Sequence, residues 1–243
     1  MKVKIKLCIL GHLPHLAEIL KIEKWNSSIF EITGVNNLNF AGCSDGPNWE
    51  FLDNNIEKEL PPNTDADILI VVTNVPLQDD YFVRRFSDNR ICITYSGMSD
   101  ILIFNDIPLK NLLLRLLYSA TLVYKSQGNR IPLLSEIKFT HDDPRGCIFD
   151  MNGADKKDIV YSTNKPEICN SCVDSLINNH VTNNSVDEAL IIETQKELKR
   201  INKGLYFKIT DRIKKHPIIT IVISSVVALS IDLISHFIYE YIK

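Results

Sequence analysis

The last 27 residues of the chain carry the feature that most constrains its fold. Residues Pro217 to Ile242 are mostly apolar, and Pro217 to Ile231 contain no charged side chain. At about 1.5 Å per residue, a helix over 217–242 is long enough to cross a bilayer core of about 30 Å. No apolar signal segment precedes it at the N-terminus. The pattern therefore predicts a tail-anchored protein with one transmembrane helix over 217–242.

The charge pattern predicts the orientation of this helix. Eight Lys and Arg residues and only two acidic ones lie between Lys196 and Lys215, whereas the whole chain has a net charge of −3. Basic residues beside a membrane span stay on the cytoplasmic side and attract anionic lipid. We therefore expect a single-pass protein of the inner (cytoplasmic) membrane with a cytoplasmic N-terminus and the lipid bilayer as a partner. The acidic remainder argues against general nucleic-acid binding.

Two ionisable residues, Asp232 and His236, lie one helical turn apart inside the apolar segment. Ionisable groups at that depth are costly and usually functional, which predicts that several copies associate around them or line a pore. The alternative is that the span ends near Ile231, with Asp232 at the far interface.

The segment before the apolar tail has the pattern of a helical stalk over 185–215. Ser185 and Glu188 have the spacing of a capping box. A heptad-like seam follows, and it consists of Ile191, Thr194, Leu198, Ile201 and Leu205. This seam predicts a short coiled coil and a homo-oligomer, or alternatively an amphipathic helix packed on its own head domain. The Asn-rich residues 178–184 predict a hinge.

Residues 1–177 predict one α/β head domain. Apolar, β-branched runs indicate strands, and a 3.6-residue apolar period indicates helices. The predicted strands are Lys4–Leu10, Ile29–Thr33, Asp67–Thr73, Arg90–Tyr95 and Ile137–Thr140. The predicted helices are His15–Trp25 and Pro108–Tyr124, and Gly42–Pro62 is predicted to be a long surface loop.

The strongest chemical signal lies between His141 and Cys172. Cys169 and Cys172 have the Cys-x-x-Cys spacing of a zinc site, and Cys147 and His141 lie upstream. Four such ligands at two ends of a polar segment predict a closed, structural Zn²⁺ site. Asp142, Asp143 or Asp150 are weaker alternatives to His141 as the fourth ligand. We predict no other cofactor.

The same residues carry a family resemblance. The pattern Cys147-x-x-x-Met151, followed by Ile168-Cys169-x-x-Cys172, is similar to the C-terminal zinc-binding end of archaemetzincin-like (metzincin-type) metallopeptidases. The resemblance implies a mixed-sheet, metzincin-like head. That family carries an HExxH motif on the preceding helix, but here that helix reads NLLLRLLYSATLVY. No catalytic residue is carried over, so the resemblance implies a peptidase fold without the peptidase.

Together these features predict a non-catalytic, zinc-stabilised, tail-anchored effector or sensor. By analogy of architecture, it would serve bacterial anti-phage (antiviral) defence by oligomerising and perturbing the membrane. Its activator would be a ligand, such as a cyclic nucleotide, or a partner protein. Two alternatives remain open: a membrane-tethered adaptor that scaffolds a partner, and a zinc hydrolase with an open position at Cys147, Cys169 and Cys172.

Overall fold

The computed structural model describes residues 1–136, 139–152, 155–178, 186–201, 209–210, 212–213 and 215–242. These residues belong to two compact units, Met1–Asn202 and Lys203–Lys243. Several predicted features lie outside the described residues: most of the predicted hinge over 178–184 (residues 179–184), Ser185, Leu205 and half of the predicted strand Ile137–Thr140.

The first unit is built on a five-stranded mixed sheet with strand order β2-β1-β3-β5-β4. Its strands are β1 (Val3–Leu10), β2 (Phe30–Leu38), β3 (Ile68–Thr73), β4 (Val83–Phe86) and β5 (Arg90–Thr94). Strands β1, β2, β3 and β5 are mutually parallel, and β4 pairs antiparallel with β5 at one edge. The predicted α/β character of the head is thus confirmed.

The helices of the first unit precede and follow these strands. They are α1 (Leu16–Ile19), α2 (Asp53–Glu59), α3 (Met98–Phe104), α4 (Lys110–Ser126), α5 (Ile159–Asn164), α6 (Asn170–Ile177) and α7 (Glu188–Leu198). Short 3-10 turns also occur, one of them (Leu20–Lys24) directly after α1. The segment predicted to be a loop over Gly42–Pro62 contains α2, because Phe51, Ile56 and Leu60 turn inward and join the apolar core.

The centre of the core is the contact between the middle strands and α4. All six residues of β3 and all five of β5 are buried. Helix α4 has 14 of its 17 residues buried, including Arg115 at 1% exposure. A helix that is apolar on every side is expected to lie inside a domain. One charged side chain in such a helix must therefore find its partners within the protein.

Helix α7 packs on the first unit. Its seam residues Ile191, Thr194 and Leu198 are buried there, together with Ile201. The predicted coiled-coil seam is thus used within the unit, as the alternative interpretation expects. The helix begins at Glu188 and is capped by Asp187, whose carboxylate accepts from the N–H of Ala189.

The second unit contains one long helix, α8 (Pro217–Ile242). The prediction of a transmembrane span is wrong: within the part of the chain that the structure describes, no helix has both the length and the apolar character to cross a membrane. The charge-free stretch from Pro217 to Ile231 covers only about 22 Å of a bilayer core of about 30 Å, and Asp232 follows it. The predicted tail anchor, inner-membrane localisation and transmembrane part of the fold class are corrected accordingly.

Candidate metal centre

Two short backbone pairings bring the predicted metal ligands together. His141 pairs with Asp150, and Cys147 pairs with Glu167, each in an isolated parallel bridge. The N–H of Glu167 donates to the carbonyl of Gly146 at 3.1 Å. Gly146 has a φ of +77°, a conformation that glycine adopts without the steric cost of a Cβ. The turn at Gly146 thus places Cys147 beside the strand-like segment that leads to Cys169.

Cys169 and Cys172 are positioned by the start of α6. Cys169 is the residue just before the helix, and Cys172 lies in its first turn. The ligand atoms of His141, Cys147, Cys169 and Cys172 all lie within 4.8 Å of one another. Zinc–sulfur bonds of about 2.3 Å in a tetrahedron place two sulfurs roughly 3.8 Å apart. Three thiols and one imidazole at this spacing fit Zn²⁺, and the chain therefore carries the predicted zinc site.

Hydrogen bonds in the site favour a thiolate at Cys147. Its side chain is fully buried, and its sulfur accepts from the N–H groups of Cys169 at 3.4 Å and Phe149 at 3.5 Å. The Cys172 thiol, first, and then these N–H groups lower the pKa of Cys147 to about 5. Burial alone would lower the pKa of His141, but the hydrogen bond and charge of Cys147 raise it instead. The Cys147 thiolate thus supplies the negatively charged sulfur that a divalent cation binds.

The imidazole of His141 is oriented by groups behind it. Its Nδ1 lies 3.0 Å from the carbonyl oxygen of Asp143 and 3.4 Å from Oδ1 of Asp150. Its Nε2 lies 3.6 Å from the sulfur of Cys169. Donation from Nδ1 leaves Nε2 as the metal-binding nitrogen, an arrangement that is usual for zinc-bound histidine.

Asp150 supports the site without being one of its four ligands. It is 1% exposed, and its Oδ2 accepts from the N–H groups of Arg145 and Cys147, both at 3.0 Å. Burial raises its pKa. Of the alternative fourth ligands, Asp150 and Asp143 thus orient the site, and none of the three aspartates belongs to the group of ligand atoms.

A cavity of about 370 Å³ lies directly beside the metal centre. One wall is α4, another is formed by β4 and β5, and the segment 139–151 closes a third. The walls are largely apolar. The charged or ionisable residues among them are Arg85, Arg115, His141, Asp142 and Asp150.

Sequence reasoning missed the cavity and Arg115. The signal in the sequence was Arg115, a single charge in the apolar run from Leu112 to Tyr118. Such a run leaves no solvent-exposed helix face on which this charge would be expected. Of the predicted pore residues, Asp232 is exposed in the second unit, whereas the side chain of His236 lies outside the described residues.

Comparison with known proteins gives a weak likeness in fold. No protein family and no curated protein matches the sequence. Two solved structures are similar to the chain over 70% of its length. An archaemetzincin from Methanopyrus kandleri has a TM-score of 0.45 and 10% identity, with 91% of that chain covered. An archaemetzincin from Archaeoglobus fulgidus has a TM-score of 0.41 and 14% identity, with 97% covered.

Several functional expectations are corrected. The predicted membrane effector, with its roles in membrane perturbation and antiviral defence, is wrong, because no helix of the described residues is long and apolar enough to cross a membrane. The prediction that the chain is not an enzyme is corrected as well: the two structures with a similar fold are both archaemetzincins. The expected zinc cofactor is confirmed.

Proposed function

We propose that this chain is a zinc-braced binding protein whose cavity takes a small, largely apolar ligand. The observation that carries the proposal is that the segment 139–151 contributes residues both to the zinc site and to the cavity. His141 is a zinc ligand and also lines the cavity, and Asp150 lines the cavity while it orients the zinc site. Zinc binding therefore fixes a wall of the ligand site.

The size and lining of the cavity support this function. Small-molecule sites are usually concave, mostly apolar and about 300–1,000 Å³ in volume, with a few polar groups that orient the ligand. The cavity falls in this range, and its apolar walls come from rigid elements such as Leu116 and Val123 of α4 and Ile93 of β5. The remaining wall, residues 139–151, has little regular secondary structure of its own. It depends on the metal centre for its conformation.

The proposal is tested by titrating a neutral probe, 4-phenylbutanol, into the zinc-loaded full chain and following binding by NMR. Ser119→Trp on α4 places a large ring in the cavity and is expected to abolish binding. Ser175→Trp makes the same change on the exposed side of α6, outside the lining. This control is expected to bind the probe like wild type. Equal binding by both variants contradicts a ligand site in the cavity.

The zinc dependence is tested separately. Removing zinc with a chelator is expected to weaken binding of the same probe by at least about tenfold, because the wall over 139–151 loses its brace. Restoring Zn²⁺ restores binding. Undiminished affinity in the metal-free chain would show that the two sites are independent.

A further inference from the structure

The cavity contains a buried cation whose hydrogen bonds are incomplete. Arg115 is 1% exposed, and its Nη2 donates to the carbonyl oxygen of Asp150. Among the residues that the structure describes, Nε and Nη1 have no hydrogen-bond partner. Buried polar groups in native proteins are nearly always satisfied, and an unsatisfied charged group is particularly costly. Arg115 is thus an exception that calls for a partner.

The guanidinium remains charged in this position. Burial lowers the pKa of Arg115 to about 10, opposed by the negative charges of Asp150 and Cys147, so that it stays protonated at neutral pH. A charge held in an apolar helix requires compensation by a nearby anion or by further acceptors. The only aromatic contact recorded for it is Phe82, whose ring centroid lies 5.5 Å from Cζ within the described part of the chain.

The carboxylate of Asp150 acts on Arg115 through its charge but accepts no hydrogen bond from it. Oδ2 of Asp150 accepts two backbone N–H groups, and Oδ1 lies 3.4 Å from Nδ1 of His141. Within the described residues Arg115 donates only to the backbone carbonyl of Asp150, and no ion pair with a carboxylate is formed. Nε and Nη1 of the guanidinium are thus left for acceptors that a ligand would bring.

We propose, on the basis of the binding function above, that the ligand of the cavity carries a carboxylate that pairs with Arg115. The ligand class is a small organic acid with an apolar body: the body fills the apolar part of the cavity and the acid compensates the guanidinium. Arginine is well suited to this role because its planar group donates several hydrogen bonds to one carboxylate.

Arg115 is one of the residues that line the cavity, although its Nε and Nη1 are buried. Phe82 lies over the guanidinium and lines the same cavity. Arg85 is the second cation of the lining.

The test compares two probes with the same apolar body, 4-phenylbutyrate and 4-phenylbutanol, on the zinc-loaded full chain at pH 7.5. They differ only at one end, where the acid has a carboxylate and the alcohol a neutral CH2OH group. We expect the acid to bind about tenfold more tightly than the alcohol, because only the acid forms a charge-assisted hydrogen bond with the guanidinium. Equal affinity for both probes overturns the carboxylate inference and leaves the cavity function intact. Binding of neither probe overturns the cavity function itself.

Two matched variants test which arginine of the cavity causes the preference for the acid. Arg115→Met keeps the length of the side chain and is expected to lose the preference for the acid while still binding the alcohol. Arg85→Met removes the other arginine of the cavity and is expected to keep most of that preference. If Arg85→Met loses the preference and Arg115→Met retains it, the assignment to Arg115 is wrong. If the Met variant does not fold, Arg115→Gln, which also removes the charge, takes its place with the same expected loss of preference.

Discussion

Glu197 and Arg115 are both fully buried charges, yet their surroundings differ. Glu197 on α7 accepts from the hydroxyls of Ser27, Ser28 and Tyr118 and from the N–H of Ser28, at 2.6–2.8 Å. Among the described residues, Arg115 on α4 has one hydrogen-bond partner, the backbone carbonyl of Asp150. The Glu197 carboxylate has its hydrogen-bond partners within the chain, and these bonds hold α7 against the rest of the first unit. Arg115 has hydrogen-bond donors without acceptors. This difference distinguishes a buried charge with a structural role from one that we propose to bind a ligand.

We expect the largest loss of stability when zinc cannot bind. Asp150, whose carbonyl accepts from Arg115, belongs to the zinc-binding segment. Cys147→Ser removes a buried ligand, and we expect it to lower the free energy of unfolding by more than about 3 kcal/mol in the presence of Zn²⁺. Urea denaturation measures this loss, and metal analysis should show less than one zinc per chain.

The control for this variant is Cys43→Ser, which changes an exposed cysteine far from the cluster in sequence. It should retain both zinc and stability. A fully stable, zinc-free Cys147→Ser variant would contradict the bracing role of the metal.

The second largest effect is expected at Glu197. Glu197→Met leaves the hydroxyls of Ser27 and Tyr118 and the N–H of Ser28 without their acceptor, which should cost about 3 kcal/mol of unfolding free energy. Glu193→Met makes the same exchange on a partly exposed position of α7 and should change stability by less than about 0.5 kcal/mol. Similar losses in the two variants would mean that Glu197 is not a fastening residue.

The same carboxylate predicts a pH dependence of stability. Burial opposes ionisation of Glu197, but the hydrogen bonds from Ser27, Ser28 and Tyr118 outweigh it and lower its pKa below the ordinary 4.5. A lowered folded-state pKa contributes stability that is present above pH 4.5 and is lost as the pH falls through the folded-state value. The stability difference between wild type and Glu197→Gln, measured in urea from pH 7 to pH 3, should therefore narrow below pH 4.5.

The smallest effect is expected for Arg115→Met without ligand. Replacing an incompletely paired buried charge by an apolar side chain of similar length is often neutral or stabilising. We therefore expect a change within about 1 kcal/mol, or a gain, in contrast to Glu197→Met. A loss as large as that of Glu197→Met would show that Arg115 is a structural residue, and the comparison would then fail.

The sequence predicts the parts of the fold that rest on local pattern. The β-branched run of β3 has one plausible environment, a buried strand, and the structure places it there from Ile68 to Thr73. The zinc ligands were also found from spacing, because Cys-x-x-Cys at the start of a helix brings two sulfurs together.

Parts that depend on distant contacts were missed or misinterpreted. Strand β4 has two arginines among its four residues, and it is recognisable only through its pairing with β5. The seam of α7 has the same spacing whether it faces a second copy or its own domain. The apolar tail satisfied a rule of composition, but composition does not report what surrounds a helix. Glu197 and Arg115 are ordinary helix residues until their neighbours from other parts of the chain are known.

Asp150 connects the metal centre with the cavity, so that binding at the two sites is coupled. Its main-chain oxygen holds the arginine, and its carboxylate holds the loop around the metal. By reciprocity, a ligand in the cavity must raise the affinity for zinc by the same factor by which zinc raises the affinity for the ligand. An occupied cavity should therefore raise the affinity of the protein for zinc, so that less zinc is lost to a competing chelator at equilibrium.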